Sequence, residues 1–226
     1  MKKFVLRFRA VEMLKYFADF NDKELKIFKK LSTPRKIQDF LEKIPINFDY
    51  RRDTCMSPRK VLRKNKAHCI EAAFFAAAAL LFHGQPPLLL DLKSVDHDYD
   101  HVVALFKRNG RWGAISKTNH AVLRFREPIY RDVRELAMSF FHEYFDDNGR
   151  KNLRSFSPPL NLLKLKKCDW LFSEKDLWYI VDALDKCPHY PILTRSAVAS
   201  LRRADPIEIE AGKITQWKRT CNFQST

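Results

Sequence analysis

Residues 67–84 read AHCIEAAFFAAAALLFHG, and this stretch decides the fold. From Ile70 to Phe82 every position except Glu71 is apolar. A helix with no polar face has to be buried on all sides rather than laid on a surface. Its alanines let neighbouring elements approach closely. His83-Gly84, with Pro86-Pro87 behind it, ends the helix. The uninterrupted apolar run, Ala72 to Phe82, is too short to span a bilayer.

Downstream, Leu88 to Leu92 predicts a buried strand and His101 to Lys107 (HVVALFK) a second. Asn109-Gly110 predicts a type I′ hairpin, returning through Arg111 to Ser116. Ala121 to Arg126 reads as a further strand. The expectation is a small, mainly antiparallel sheet packed on the 70–82 helix. With a two-residue loop Arg108 opposes Arg111. Counting back along both strands, His101 faces Thr118, and Ser116 lies diagonally across on the same face, about 7–8 Å away.

Helices are expected on both sides of this core. Residues 1–31 read as one or two amphipathic helices, with Phe17, Phe20, Leu25, Ile27, Phe28 and Leu31 inward. Thr33-Pro34 starts a helix that stops before Pro45, and Ser57-Pro58 starts a short basic one to about Asn65. After Pro128, an apolar stripe runs from Val133 through Leu136, Phe140 and Tyr144. Ser173 with Asp176 resembles a capping box for a helix to about Leu184. Thr194 to Arg203 reads as the last helix. No repeat or linker interrupts the chain. It reads as a single domain: a helical N-terminal region (1–54), a core (55–127) and a helical C-terminal extension (128–226).

Composition narrows the function. At 46% hydrophobic and 13% aromatic residues, the 226-residue chain has the material for a core, which excludes wholesale disorder. None of its five glycines fits GxGxxG or GxxxxGK[ST], which excludes dinucleotide and P-loop phosphate cradles. Cys55, Cys69, Cys168, Cys187 and Cys221 contain no CxxC pair and are odd in number, favouring a reducing, cytoplasmic setting over a disulfide framework. Polar residues interrupt the N-terminal apolar runs, so no secretory leader is expected. A net charge of +15 attracts polyanions or acidic partners. The densest basic segment, 51–66, carries seven basic residues and one acid.

Cys69 carries the chemistry. A thiol at a helix N-terminus feels the positive end of the macrodipole, which favours thiolate, and His68, Lys66 and Lys64 push the same way. Backbone N–H groups of the first turn could stabilise an oxyanion. Taken alone, a buried cysteine is ordinarily inert core. His101 changes that, because a thiol nucleophile needs an imidazole to take its proton and return it to a leaving group. The hairpin places Ser116 where an acceptor orienting His101 belongs, and Asn119 is the alternative if the strand ends at Thr118. Glu71 complements the helix dipole or pairs with Lys117. His97 and His101, four apart on a strand, would be about 13 Å apart, so no metal site is expected. No cofactor is implied.

The runs AHCIEAAFFAAAALLFHG and DHVVALFKRNGRWGAISKT together resemble the core of the transglutaminase-like superfamily, a papain-related fold. In such relatives a Cys opens the central helix and a His opens a strand. A turn and a Trp follow, and an Asp a few residues later completes a triad. The matching positions are Cys69, His101, Trp112 and, at the Asp position, Ser116, with Asn119 or Asp100 as compensating groups. The resemblance covers roughly residues 55–125. It implies an α+β, papain-like fold and thiol-dependent acyl transfer on a protein, peptide or amide substrate, as a cysteine peptidase, amidase or transferase. The competing readings are a catalytically inactive binding protein of the same fold and a basic nucleic-acid-binding protein. The latter lacks any zinc-finger spacing, RNP signature or GXXG loop.

Overall fold

A computed structural model of the chain describes residues 15–48, 53–165 and 169–218. The start of the expected N-terminal helix, Arg51, Arg52, Lys166, Lys167, Cys168 and Cys221 lie outside the described residues. The chain is mixed α/β.

The N-terminal part forms three capped helices. Helix α1 (Asp22–Lys30) starts at an Asn21/Glu24 capping box. Helix α2 (Pro34–Lys43) starts where Thr33 Oγ1 accepts the Lys36 N–H. Helix α3 (Pro58–Lys64) is capped in the same way by Ser57 and ends at Asn65 in the left-handed region. Phe17, Phe20, Phe28 and Leu31 are buried as the sequence predicts, and Leu25 and Ile27 are partly so. Arg59 and Arg63 pair with Glu24, Arg63 also with Glu174, and Lys60 with Asp176. Much of the densest basic segment is thus tied to acids of the fold.

Helix α4 (Cys69–Phe82) is the central element. Its residues from Glu71 to Leu81 are all buried. Phe75 stacks on Phe28 and Phe40, and Ala73 and Ala76–Ala79 bring neighbouring backbones close.

The sheet is antiparallel throughout. Its main strands are β1 (Leu88–Lys93), β2 (His101–Arg108), β3 (Arg111–Ile115) and β4 (Arg126–Tyr130). Short strands β5 (Ser155–Phe156), β6 (Leu160–Asn161) and β7 (Tyr190–Pro191) complete it. The order is β4-β3-β2-β1-β5-β7, with β6 also on β1. Asn109 and Gly110 both have positive φ, and Arg108 opposes Arg111, so the hairpin has the turn and register that Asn-Gly predicts. Side chains alternate across β2: Val102, Ala104 and Phe106 join the core around α4, whereas Val103 and Leu105 join a second core with Leu136, Phe140 and Tyr144.

Four expectations are corrected. Residues 121–125 form no strand, and β4 begins only at Arg126; Leu123 takes a left-handed φ of 59°, which breaks an extended run. The stripe beyond Pro128 is α-helical only over α5 (Val133–Met138), where Ser139 Oγ turns back to the Leu136 carbonyl, and continues as a single 3-10 turn at Phe141–Glu143. Asp176 is held by Lys60 and Ser173 accepts from Lys175, so helix α6 (Trp178–Asp185) starts later than the capping-box reading. The helix expected over Thr194–Arg203 is shortened to α7 (Arg195–Ala199) and is not the last: α8 (Pro206–Gly212) follows it, started by Asp205 with Glu208. No helix among the described residues is long and apolar enough to cross a membrane.

Candidate active site

Cys69 is the first residue of α4, half-buried, with His68 immediately before it. His101 is the first residue of β2 and is buried, 6% exposed. These two imidazoles are the groups that act on the Cys69 thiol. Burial alone would push that thiol up, but the bonds and charge of His101 and His68 outweigh it and bring it down to about 5. Burial likewise pushes the His68 imidazolium down, and its bond to Cys69 and the nearby Glu71 carboxylate raise it to about 9. A thiolate beside an imidazolium is therefore the resting state at neutral pH.

His101 is oriented from its far side. Its Nε2 lies 2.8 Å from Ser116 Oγ, and Ser116 Oγ donates to the Leu123 carbonyl at 2.6 Å. A hydroxyl whose proton points at Leu123 accepts from its other neighbour, so Nε2 carries a hydrogen and Nδ1 is left to face Cys69. Two details hold Ser116. Its backbone N–H and carbonyl are both gripped by the buried side chain of Gln38, at 3.0 and 2.7 Å. Leu123, in a conformation costing about 1–2 kcal/mol for a side chain with Cβ, donates its N–H to Glu143 at 2.7 Å.

Glu71 anchors the thiol's helix. Fully buried, it accepts from Thr54 Oγ1 (2.7 Å), Met56 N–H (2.9 Å), His68 N–H (3.0 Å) and Asn47 Nδ2 (3.1 Å). Of its two expected roles the helix-start one fits. Lys117 is engaged elsewhere, its Nζ donating to the Leu41 and Ile44 carbonyls at 2.8 Å each, and burial lowers it to about 8.

The two alternative partners for His101 are occupied. Asn119 is paired through its side chain with the Trp217 backbone, at 3.0 and 2.8 Å. Asp100 accepts from the Ser94 N–H and pairs with Lys93. Neither orients His101, so Ser116 alone of the predicted candidates does. Trp112 stays in the hairpin, with the Lys107 ammonium over its ring.

The sequence reading missed Gln38 and Leu123. The signal for Gln38 was present: it is a polar residue on the inward stripe of α2, beside Ile37 and Leu41. Leu123 carries no such signal, since leucine rarely takes a left-handed φ.

A cleft of about 840 Å³ opens beside Cys69 and His101, a size suited to a small ligand or a peptide segment. Trp178 of α6, 44% exposed, forms part of its apolar wall. Tyr144 is buried at its base, and its hydroxyl donates to the Tyr99 carbonyl, tying down the loop before β2. A shallower hollow of about 400 Å³ near Glu42, Arg124 and Gln216 contains no thiol or imidazole. Among the described residues, the side chains grouped closely enough to hold a metal ion are Asp91, Asp100 and Asp185, and Lys93 already bridges the last two. Compared with protein-family models and with curated protein sequences, the chain matches none.

Proposed function

We propose that the chain is a thiol-dependent acyl-transfer enzyme with a papain-like core of the transglutaminase-like type. The observation that supports this most is the Cys69 thiol brought down to about 5 by two neighbouring imidazoles, one of them fixed by Ser116. An inert core cysteine requires no such arrangement.

The reaction follows from the groups present. The Cys69 thiol passes its proton to His101 Nδ1, and the thiolate attacks an amide or ester carbonyl carbon; a C–S bond forms and the carbonyl electrons move to oxygen. First-turn N–H groups of α4 stabilise that oxyanion, helped by the positive charge on His68. As the intermediate collapses the carbonyl reforms and the C–N or C–O bond breaks. His101 gives the leaving group its proton, leaving a thioester on Cys69. His101 then takes a proton from water or an amine, which attacks the thioester and releases the acid or the new amide. Ser116 keeps Nδ1 aimed at sulfur throughout. As a neutral acceptor it favours the imidazolium less than a carboxylate would.

Incubation with a p-nitrophenyl acyl ester tests this reading. The expected result is a stoichiometric acyl adduct on Cys69 by intact-mass and peptide mass spectrometry, absent in Cys69→Ala and lost on hydroxylamine treatment. No adduct on Cys69, or one spread over several cysteines, contradicts it.

A further inference from the structure

The chain is strongly basic, at +15, but the cleft beside Cys69 is acidic. Eight Asp and Glu residues line it against two cations: Lys117, whose ammonium is engaged by two backbone carbonyls, and the His68 imidazolium, which is matched by the Cys69 thiolate. Arg126 and Arg150 answer Glu143 and Asp146. Asp53, Asp98 and Asp147 have no ion-pair partner among the described residues.

One part of the lining is more specific. Asp91 is only 2% exposed. Its Oδ2 meets His189 Nε2 at 3.0 Å, while its Oδ1 has no hydrogen-bond partner among the described residues. Oxygens of Asp91, Asp100 and Asp185 lie within 4.8 Å of one another. A buried carboxylate oxygen without a donor is costly, and a bound donor would remove that cost. The cluster already accepts an alkylammonium: Lys93 Nζ sits 3.0 Å from Asp100 and 2.9 Å from Asp185. Trp178 and Tyr99, both exposed in the lining of the same cleft, offer faces for an aliphatic stem or a cation.

We propose that the cleft takes an acyl substrate bearing a cationic side chain, an ammonium or guanidinium, that seats against Asp91, Asp100 and Asp185 while the carbonyl faces Cys69. The inference rests on the thiol reading above. It reverses the preference for acidic partners that the whole-chain charge suggests, because the field a substrate side chain meets in the cleft is set by the residues lining it and not by the net charge of the chain.

Charged methanethiosulfonates test it without requiring turnover. The thiolate attacks the reagent's sulfenyl sulfur, a mixed disulfide forms and methanesulfinate leaves. Rates at Cys69 are measured for the trimethylammonium-ethyl and sulfonato-ethyl reagents at pH 7 and low salt, each divided by its rate on free cysteine. The expected cation-over-anion preference is about tenfold or more beyond free cysteine, shrinking with added salt. Asp91→Asn and the more exposed Asp185→Asn should each cut the preference severalfold, with thermal unfolding of Asp185→Asn unchanged. A preference equal to that of free cysteine, or one that Asp185→Asn and Asp91→Asn both leave intact, overturns the inference while Cys69 remains an activated thiol. Slow reaction of Cys69 with both reagents overturns the inference and the thiol reading together.

Discussion

Cys55 and Cys69 lie close to the same buried carboxylate, and the fold treats them oppositely. Cys55 is fully buried, and burial and the Glu71 charge push its thiol up, with only a backbone hydrogen bond from Leu177 opposing them. Burial also pushes up the half-buried Cys69, yet its thiol falls to about 5 because His101 and His68 both act on it. Burial is thus common to the pair and cannot make a nucleophile. The difference lies in which side chains the surrounding elements deliver, and only Cys69 sits where the end of the sheet meets the start of α4.

The contrast can be broken in three ways, taken from the largest expected effect to the smallest. Glu71→Ala removes the acceptor that both neighbourhoods share and leaves the Thr54, Met56, His68 and Asn47 donors unmatched. Stability should fall by about 3–5 kcal/mol, read from the denaturant midpoint; a loss below about 1 kcal/mol would show that water replaces those bonds. His101→Gln should bring Cys69 closer to Cys55, slowing its alkylation at pH 6 by about 30-fold as the thiolate fraction drops. An unchanged rate would mean that His68 alone activates the thiol. Ser116→Ala leaves both rings in place but frees His101 to turn. We expect a loss of about three- to tenfold in alkylation or acylation rate with little change in stability, since one neutral hydrogen bond is removed.

Much of this was legible in the sequence, and the reason is local. The all-apolar run of α4, its start at Cys69 and the Asn-Gly turn are each determined by a few adjacent residues. The turn fixes the β2/β3 register, and the register brings Ser116 to His101. What was not legible depends on distant parts of the chain. Gln38 reaches Ser116 across 78 residues, and His189 reaches Asp91 across 98. Asn119 satisfies the local rule for an orienting residue, but Trp217, 98 residues on, takes its side chain. His68 was read as one more positive neighbour, whereas its contact with the sulfur makes it half of the thiol's environment. The acidic cleft is hidden by composition, because most of the basic residues lie outside it.

The thiolate–imidazolium pair also links reactivity to stability. A thiol held below its unfolded value stabilises the fold at neutral pH, and that contribution disappears as pH falls through about 5. His68, raised to about 9, stabilises fully below its ordinary value and loses its contribution as pH rises through 9. The most direct test of the account is the pH dependence of iodoacetamide alkylation, followed residue by residue from pH 4 to 10. Cys69 should react along a curve with its midpoint near 5 and a plateau above about pH 6, while Cys55 stays unreactive in the folded protein. A Cys69 midpoint near the ordinary thiol value of about 8.5 would contradict the central claim that two imidazoles hold it as a thiolate.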